Sequence, residues 1–212
     1  MPAPTHGGYP LGTNYENLIR ENLEKFFADL SPDAGKWIPA EKAGAEFLFK
    51  AFGKDCHVSP AKITLGDNPA AGPRGLLVSL YTLRANNESM KLRPFLSFKD
   101  LPGSMPYHSA FSAHSEKVLI PFVPNIMEKS QDIIKLFDGQ EGDKDLSGDF
   151  SFILYPLPKT ALAYIFYLPD DEFPPSATCL FSSNALSFMP LDGLADVAEY
   201  CSKKIIQISS GT

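Results

Sequence analysis

The chain has 212 residues, 44% of them hydrophobic and 21% charged, enough for one core that buries roughly 70% of the surface exposed by the unfolded chain. Its 19 basic and 25 acidic residues leave a net charge of -6 with no run of Lys or Arg, which excludes a nucleic-acid surface, since phosphate contacts need clustered cations. Met1 to Gly12 lack the basic start and apolar run of a secretory signal, no later stretch approaches the ~20 apolar residues of a membrane helix, and the expected location is cytoplasmic.

Residues 1–13 are rich in Pro and Gly with few apolar anchors and are expected to form a flexible arm, leaving residues 14–212 as a single α+β domain. From Asn14, Tyr15, Leu18, Ile19, Leu23, Phe26, Phe27 and Leu30 recur at helical spacing, with Thr13 or Asn14 as cap and Ser31-Pro32 as stop. Short β-prone runs follow at Ala45 to Phe52, Cys56 to Ser59 and Lys62 to Leu65, separated by turn residues that suit a meander. Leu76 to Ala85 reads as a short buried helix that stops at Asn86-Asn87.

Arg93 to Phe98 is expected to be a strand, and the Ser, Pro, Tyr and His residues beyond Leu101 a long loop. A helix is expected over Asn125 to Phe137, then an acidic connector from Gly139 to Gly148. Asp149 to Tyr155 and Thr160 to Leu168 read as strands; the second is apolar on both faces, as a central strand would be. Ala177 to Phe181 is a further strand, and Leu191 to Gln207 a closing helix with Leu194, Ala198, Cys201 and Ile205 on one stripe. The pattern fits an α+β fold with a mixed or mostly antiparallel sheet packed by three to four helices.

Two loops carry residues suited to chemistry. Asp170, Asp171 and Glu172 follow the central strand and precede Phe173-Pro174-Pro175; three adjacent carboxylates can hold a hard cation or supply an acid and a base. The same residues also make an ordinary solvated turn. The second loop holds Tyr107, His108 and His114, but a spacing of six between the histidines is no helix-face metal pair, and packing residues are the competing reading. Tyr155, Tyr164, Phe166, Tyr167, Phe173 and Phe181 can line a pocket for a flat ligand or serve as core.

His57 and Cys56 are adjacent, but alternation along a strand points them to opposite faces, against joint ligation. Cys56, Cys179 and Cys201 are odd in number and widely spaced, and are expected to be reduced, buried and free of metal. Neither the nucleophile elbow Gly-x-Ser-x-Gly nor a phosphate-cradling glycine loop occurs.

Three segments together carry a resemblance: Phe98-Lys99-Asp100-Leu101-Pro102-Gly103 with Tyr107 and Phe111, then Gly148-Asp149-Phe150, then Asp170-Asp171-Glu172-Phe173-Pro174 with Leu180-Phe181. They resemble a bacterial and archaeal family known as domain of unknown function 3786, over about Asn14 to Tyr200. Some members carry an appended four-cysteine iron-sulfur module like that of corrinoid iron-sulfur proteins, which implies a setting in anaerobic metallocofactor metabolism. This chain has no such cysteine cluster, and Ser182 and Ser183 stand where the family pattern places an acidic residue.

The expectation is a ligand-binding or accessory domain whose partners are a small molecule or a metallocofactor protein. Its cleft is expected between the Leu101 to His114 loop and the Asp170 to Pro175 loop, with Tyr107, His108, His114, Asp170, Asp171, Glu172 and Phe173 as ligand-binding residues. The alternatives are a metal-assisted hydrolase or lyase, with Asp170, Asp171 or Glu172 on the ion and His108 or His114 moving protons, and a structural protein-interaction module.

Overall fold

Ile19, Leu23 and Phe26, spaced four and three apart, bury one stripe of the first helix, α1 (Leu11–Ala28), in the computed structural model, which describes residues 11–211. The helix begins three residues before Asn14. The rest of the expected arm, residues 1–10, lies outside the described residues. A single turn, α2 (Ala34–Trp37), follows the Ser31-Pro32 stop.

The expected meander is present and gains a short strand at each edge: β1 (Glu41–Ala43), β2 (Glu46–Ala51), β3 (Lys54–Val58), β4 (Ile63–Leu65) and β5 (Asn68–Pro69), paired antiparallel in that order. Alternation places Phe47, Phe49, Ala51, Cys56, Val58, Ile63 and Leu65 inward. They pack against α1 and against α3 (Pro73–Leu83), whose Pro73 occupies the first turn, where a missing amide costs nothing. Phe47 meets Phe26 with ring centroids 5.5 Å apart, and Phe49 meets Tyr81 at 6.0 Å. Cys56 is buried, His57 half-exposed and 3.9 Å from Glu46, so the two do face apart.

The β2–β3 hairpin turns on Phe52 (φ 53) and Gly53 (φ 73), both left-handed as a two-residue type I′ turn requires. A phenylalanine there costs about 1–2 kcal/mol relative to right-handed backbone, and two contacts offset it. The Phe52 amide donates to the Pro156 carbonyl oxygen at 2.7 Å, and its buried ring lies edge-on to Tyr200 at 4.8 Å. The hairpin tip thereby ties the first sheet to the second.

The expected strand at Arg93 to Phe98 shrinks to β6 (Leu96–Ser97). The stretch read as a long loop is instead a series of helical turns: a 3-10 turn at Met105–Tyr107, α4 (His108–Phe111), a π-turn at Ser112–Glu116 and a 3-10 turn at Lys117–Phe122. Burial of Phe111, Ser115 and Leu119 against strand and helix drives this folding, despite a composition poor in helix formers. The expected helix over Asn125 to Phe137 breaks at Lys129 into α5 (Val123–Glu128) and α6 (Ser130–Leu136).

The second sheet comprises β7 (Gln140–Glu141), β8 (Phe150–Leu157), β9 (Thr160–Tyr167) and β10 (Ser176–Phe181) with β6, in the order β6-β10-β9-β8-β7, all antiparallel. β9 is central and buried from Thr160 to Phe166, which accounts for its unbroken apolar run. One face packs Phe152, Tyr164, Phe166 and Phe181 toward α7 (Leu191–Ser209), where Leu194, Ala198, Cys201 and Ile205 form the expected buried stripe. The other face, with Ile153, Ala163 and Ile165, is covered by Met90, Leu92 and Phe95. That covering strap is pinned by Lys159, whose buried ammonium donates to the carbonyls of Asn86 (2.8 Å) and Glu88 (2.7 Å).

The fold is α+β with antiparallel strands divided between two sheets. No helix among the described residues is long and apolar enough to cross a membrane. All three cysteines are free and buried; burial pushes the Cys56 thiol up to about 12 and raises the other two, so none is poised as a thiolate.

Candidate functional site

Edge strand β6 pairs with the end of β10, Leu96 opposite Phe181, and so delivers Phe98 beside Phe181. Phe111 then stacks on Phe98 with centroids 4.1 Å apart and planes 6° from parallel, and Phe181 lies 5.7 and 6.1 Å from the pair. The stacked rings form the floor of a cleft of about 440 Å3. Tyr107, Ala110, His114 and Ser115 make one wall; Leu191, Asp192, Ala195, Asp196 and Glu199, on one stripe of α7, make the other. Ala195 leaves room at the centre of that stripe.

The π-turn that carries His114 and Ser115 is stitched on both sides. The Ser202 hydroxyl of α7 donates to the Ser115 carbonyl at 2.6 Å, and the Glu116 carboxylate accepts the Cys179 amide of β10 at 3.1 Å. Tyr164 supports the first stitch, its hydroxyl donating to the Ala198 carbonyl at 3.2 Å and lying 3.3 Å from the Ser202 hydroxyl. The widened turn is thus held by packing and hydrogen bonds on sheet and helix, a setting in which π-turns often serve sites.

The segment so fixed contains polar atoms with nothing to bond, one of them in the wall itself. Five buried side-chain polar atoms lack a hydrogen-bond partner among the described residues, and three of them, Ser104 Oγ, His108 Nδ1 and Ser115 Oγ, fall in this one segment. A buried hydroxyl left unpaired costs about 1–3 kcal/mol, so the concentration calls for a cause. Ser115 is 1% exposed and lines the cleft itself.

On the facing wall, Asp192 sits in the first turn of α7, where the helix dipole favours a carboxylate, and Glu199 pairs with Lys203 at 2.5 Å. Asp196 has no ion-pair partner within 4 Å among the described residues. Asp196 is exposed, but desolvation by the packed surroundings raises its carboxyl from the ordinary value, Glu199 and Asp192 push it the same way, and Lys203 opposes them.

The folded state therefore holds this proton to higher pH than the unfolded chain does. Stability falls as pH rises from the ordinary value of 3.8 through the raised one, and the loss is complete above the latter. Asp196→Asn is expected to raise stability near neutral pH by up to about 1 kcal/mol, a gain kept small by solvent screening, and to lose that gain below pH ~4. Thermal denaturation at both pH values checks it. A gain of the same size in acid would rule out the carboxyl's titration as its cause.

The cleft brings Tyr107 and His114 together, both exposed at its rim, Tyr107 by 62%. His108 is half-buried behind the wall and does not line the cleft. Asp170 to Pro175 contributes none of its lining. That loop joins β9 to β10 at the end of β10 opposite Phe181. Asp170 Oδ1 accepts the amides of Glu172 (2.8 Å) and Phe173 (2.7 Å), a local turn in which the carboxylate serves its own backbone. Asp171 and Glu172 are exposed, and Phe173 is 66% exposed. Among the described residues, no group of three or more His, Cys, Asp or Glu is arranged to hold a metal ion.

Gly148-Asp149-Phe150 is likewise structural. Asp149 Oδ2 accepts the Leu168 amide at 2.6 Å and closes the β8–β9 end. Of the flat-ligand aromatics, Tyr164, Phe166 and Phe181 are core. The carboxylates of α7 escaped the sequence reading, although their spacing of four and three is visible there.

A second cavity, of about 580 Å3, lies at the start of α3 and includes Lys54, Arg74, Tyr200 and Lys203 in its lining. Arg74 covers the Tyr200 ring at 5.7 Å. Asp196 and Glu199 line both cavities.

The model of one protein family, described as Domain of unknown function (DUF3786), matches residues 32–204, a stretch that includes both walls of the first cleft. No curated protein and no solved structure matches the chain.

Proposed function

Starting from the chain's membership of the DUF3786 family, we propose that it is a small-molecule-binding domain whose site is the cleft between the Phe98–Ser115 segment and α7. One observation carries the reading: an apolar, concave floor is bordered by a wall in which a lining residue, Ser115, has a buried hydroxyl without a partner. Ligand sites have this make-up, mostly apolar lining with a few fixed polar groups that a ligand satisfies on arrival. The rigid support of that wall by Ser202 and Cys179 argues for a preformed site rather than a mobile one.

A volume of about 440 Å3 is at the small end of the range for such sites, roughly 300–1,000 Å3. It suits a compact ligand rather than a whole macrocyclic cofactor. An accessory role in anaerobic metallocofactor metabolism, which the family resemblance implies, therefore belongs in this proposal as contact with a metallocofactor protein, not as corrinoid held in the cleft.

The test is fragment binding to the full chain, followed by amide chemical shifts. Hits are expected to move the signals of Ala110, Ser115 and Ala195 and to be lost in Ala195→Phe, which fills the cleft. Fragments that bind elsewhere only, or that ignore the filled cleft, overturn the assignment.

A further inference from the structure

Resting on that reading of the cleft, we infer that its ligand is an organic cation, an amine carried on a flat apolar body. The lining includes three carboxylates and no Lys or Arg. Lys203 engages Glu199 directly and acts on Asp196 only from farther off, and Asp192 is placed to serve the start of its helix, which leaves Asp196 without an ion-pair partner within 4 Å among the described residues. An anionic ligand would meet this wall at a Coulomb cost, and a neutral one would strip water from Asp196 and return nothing for it.

A second feature, independent of the acidic wall, calls for a polar ligand group at this place and can accept from a cation. The Ser115 hydroxyl is buried and unpartnered in a residue that lines the cleft, and a hydroxyl oxygen can accept from an ammonium N–H. An ammonium offers three donors, enough for both walls and a water. The stacked pair Phe98 and Phe111, buried to 1% and 4% exposure, gives the cleft an apolar floor against which a flat body can rest, and Tyr107 at the rim adds an aromatic face that attracts positive charge. The raised Asp196 carboxyl is consistent with a group that gains by meeting a cation.

Three compounds of one shape and different charge test the inference by calorimetry on the full chain: tryptamine, tryptophol and indole-3-propionate. Tryptamine is expected to bind about tenfold more tightly than tryptophol, with indole-3-propionate weakest. Asp196→Asn is expected to remove most of the tryptamine advantage without weakening tryptophol, which no longer has to desolvate a carboxylate, and Ser115→Ala to weaken tryptamine several-fold. Because Asp196→Asn is expected to stabilise the fold, a loss of binding in it cannot be blamed on unfolding.

Equal affinities across the trio, or preference for the acid, overturn the cation inference while the cleft stands as a site, provided the Ala110 and Ala195 amides still shift. Failure of all three also overturns it. Silence of those amides toward every fragment tried would then remove the site itself.

Discussion

Phe98→Ala is expected to lower the unfolding free energy by about 3–5 kcal/mol in urea denaturation, the usual cost of emptying a phenylalanine site in a core. The ring is 1% exposed and shares its surface with Phe111 and Phe181, whose positions come from different elements. Deleting it removes the stacked contact and opens a void that edge strand β6, two residues long, cannot close. Phe98→Leu is the informative partner. It keeps most of the volume and is expected to cost only ~1–2 kcal/mol, so a folded protein without the stack becomes available for ligand measurements. A loss under 1 kcal/mol in Phe98→Ala would mean that the stack is not part of a tightly packed core.

Gly53→Ala is expected to cost about 3 kcal/mol or more, for two reasons that a control separates. At φ 73 the backbone is left-handed, which burdens any side chain by about 1–2 kcal/mol. The added Cβ would also lie 2.4 Å from the Leu136 carbonyl oxygen and 2.8 Å from Leu136 Cδ1, where the end of α6 abuts the hairpin. Gly66 has nearly the same backbone, at φ 60, with nothing within 4 Å of a new Cβ. Gly66→Ala is therefore expected to show the conformational cost alone. Paired denaturation curves decide the matter, and equal losses in the two variants would show that α6 yields without cost.

Much of this architecture is legible in the residues, and the illegible part has a pattern. β9 and α7 announce themselves because burial on both faces and a four-and-three stripe leave unbroken signals. Residues 101–122 do not. Their Ser, Pro and His content describes local preference, whereas Phe111, Ser115 and Leu119 are recruited into helical turns by β10 and α7, partners remote in sequence.

The cleft divides along the same line. Tyr107 and His114 stand out as unusual loop residues, but Asp196 resembles any charge on the solvent side of an amphipathic helix. Only the packing of the π-turn against α7 makes it a wall. Conversely, Asp170 looks chemical in a string of acids and is occupied by its own turn amides.

The left-handed Phe52 has a consequence for how the molecule comes apart. Strands β1 to β5 pair only with sequence neighbours, the kind of segment that could detach and reattach as a local unit. Its hairpin tip, however, is bonded to Pro156 and rests on Tyr200, the residue after Glu199 of the cleft wall. Detachment must break both contacts, so opening of the meander reaches the helix that borders the ligand site, and a ligand that holds α7 in place would slow amide exchange in strands it never touches.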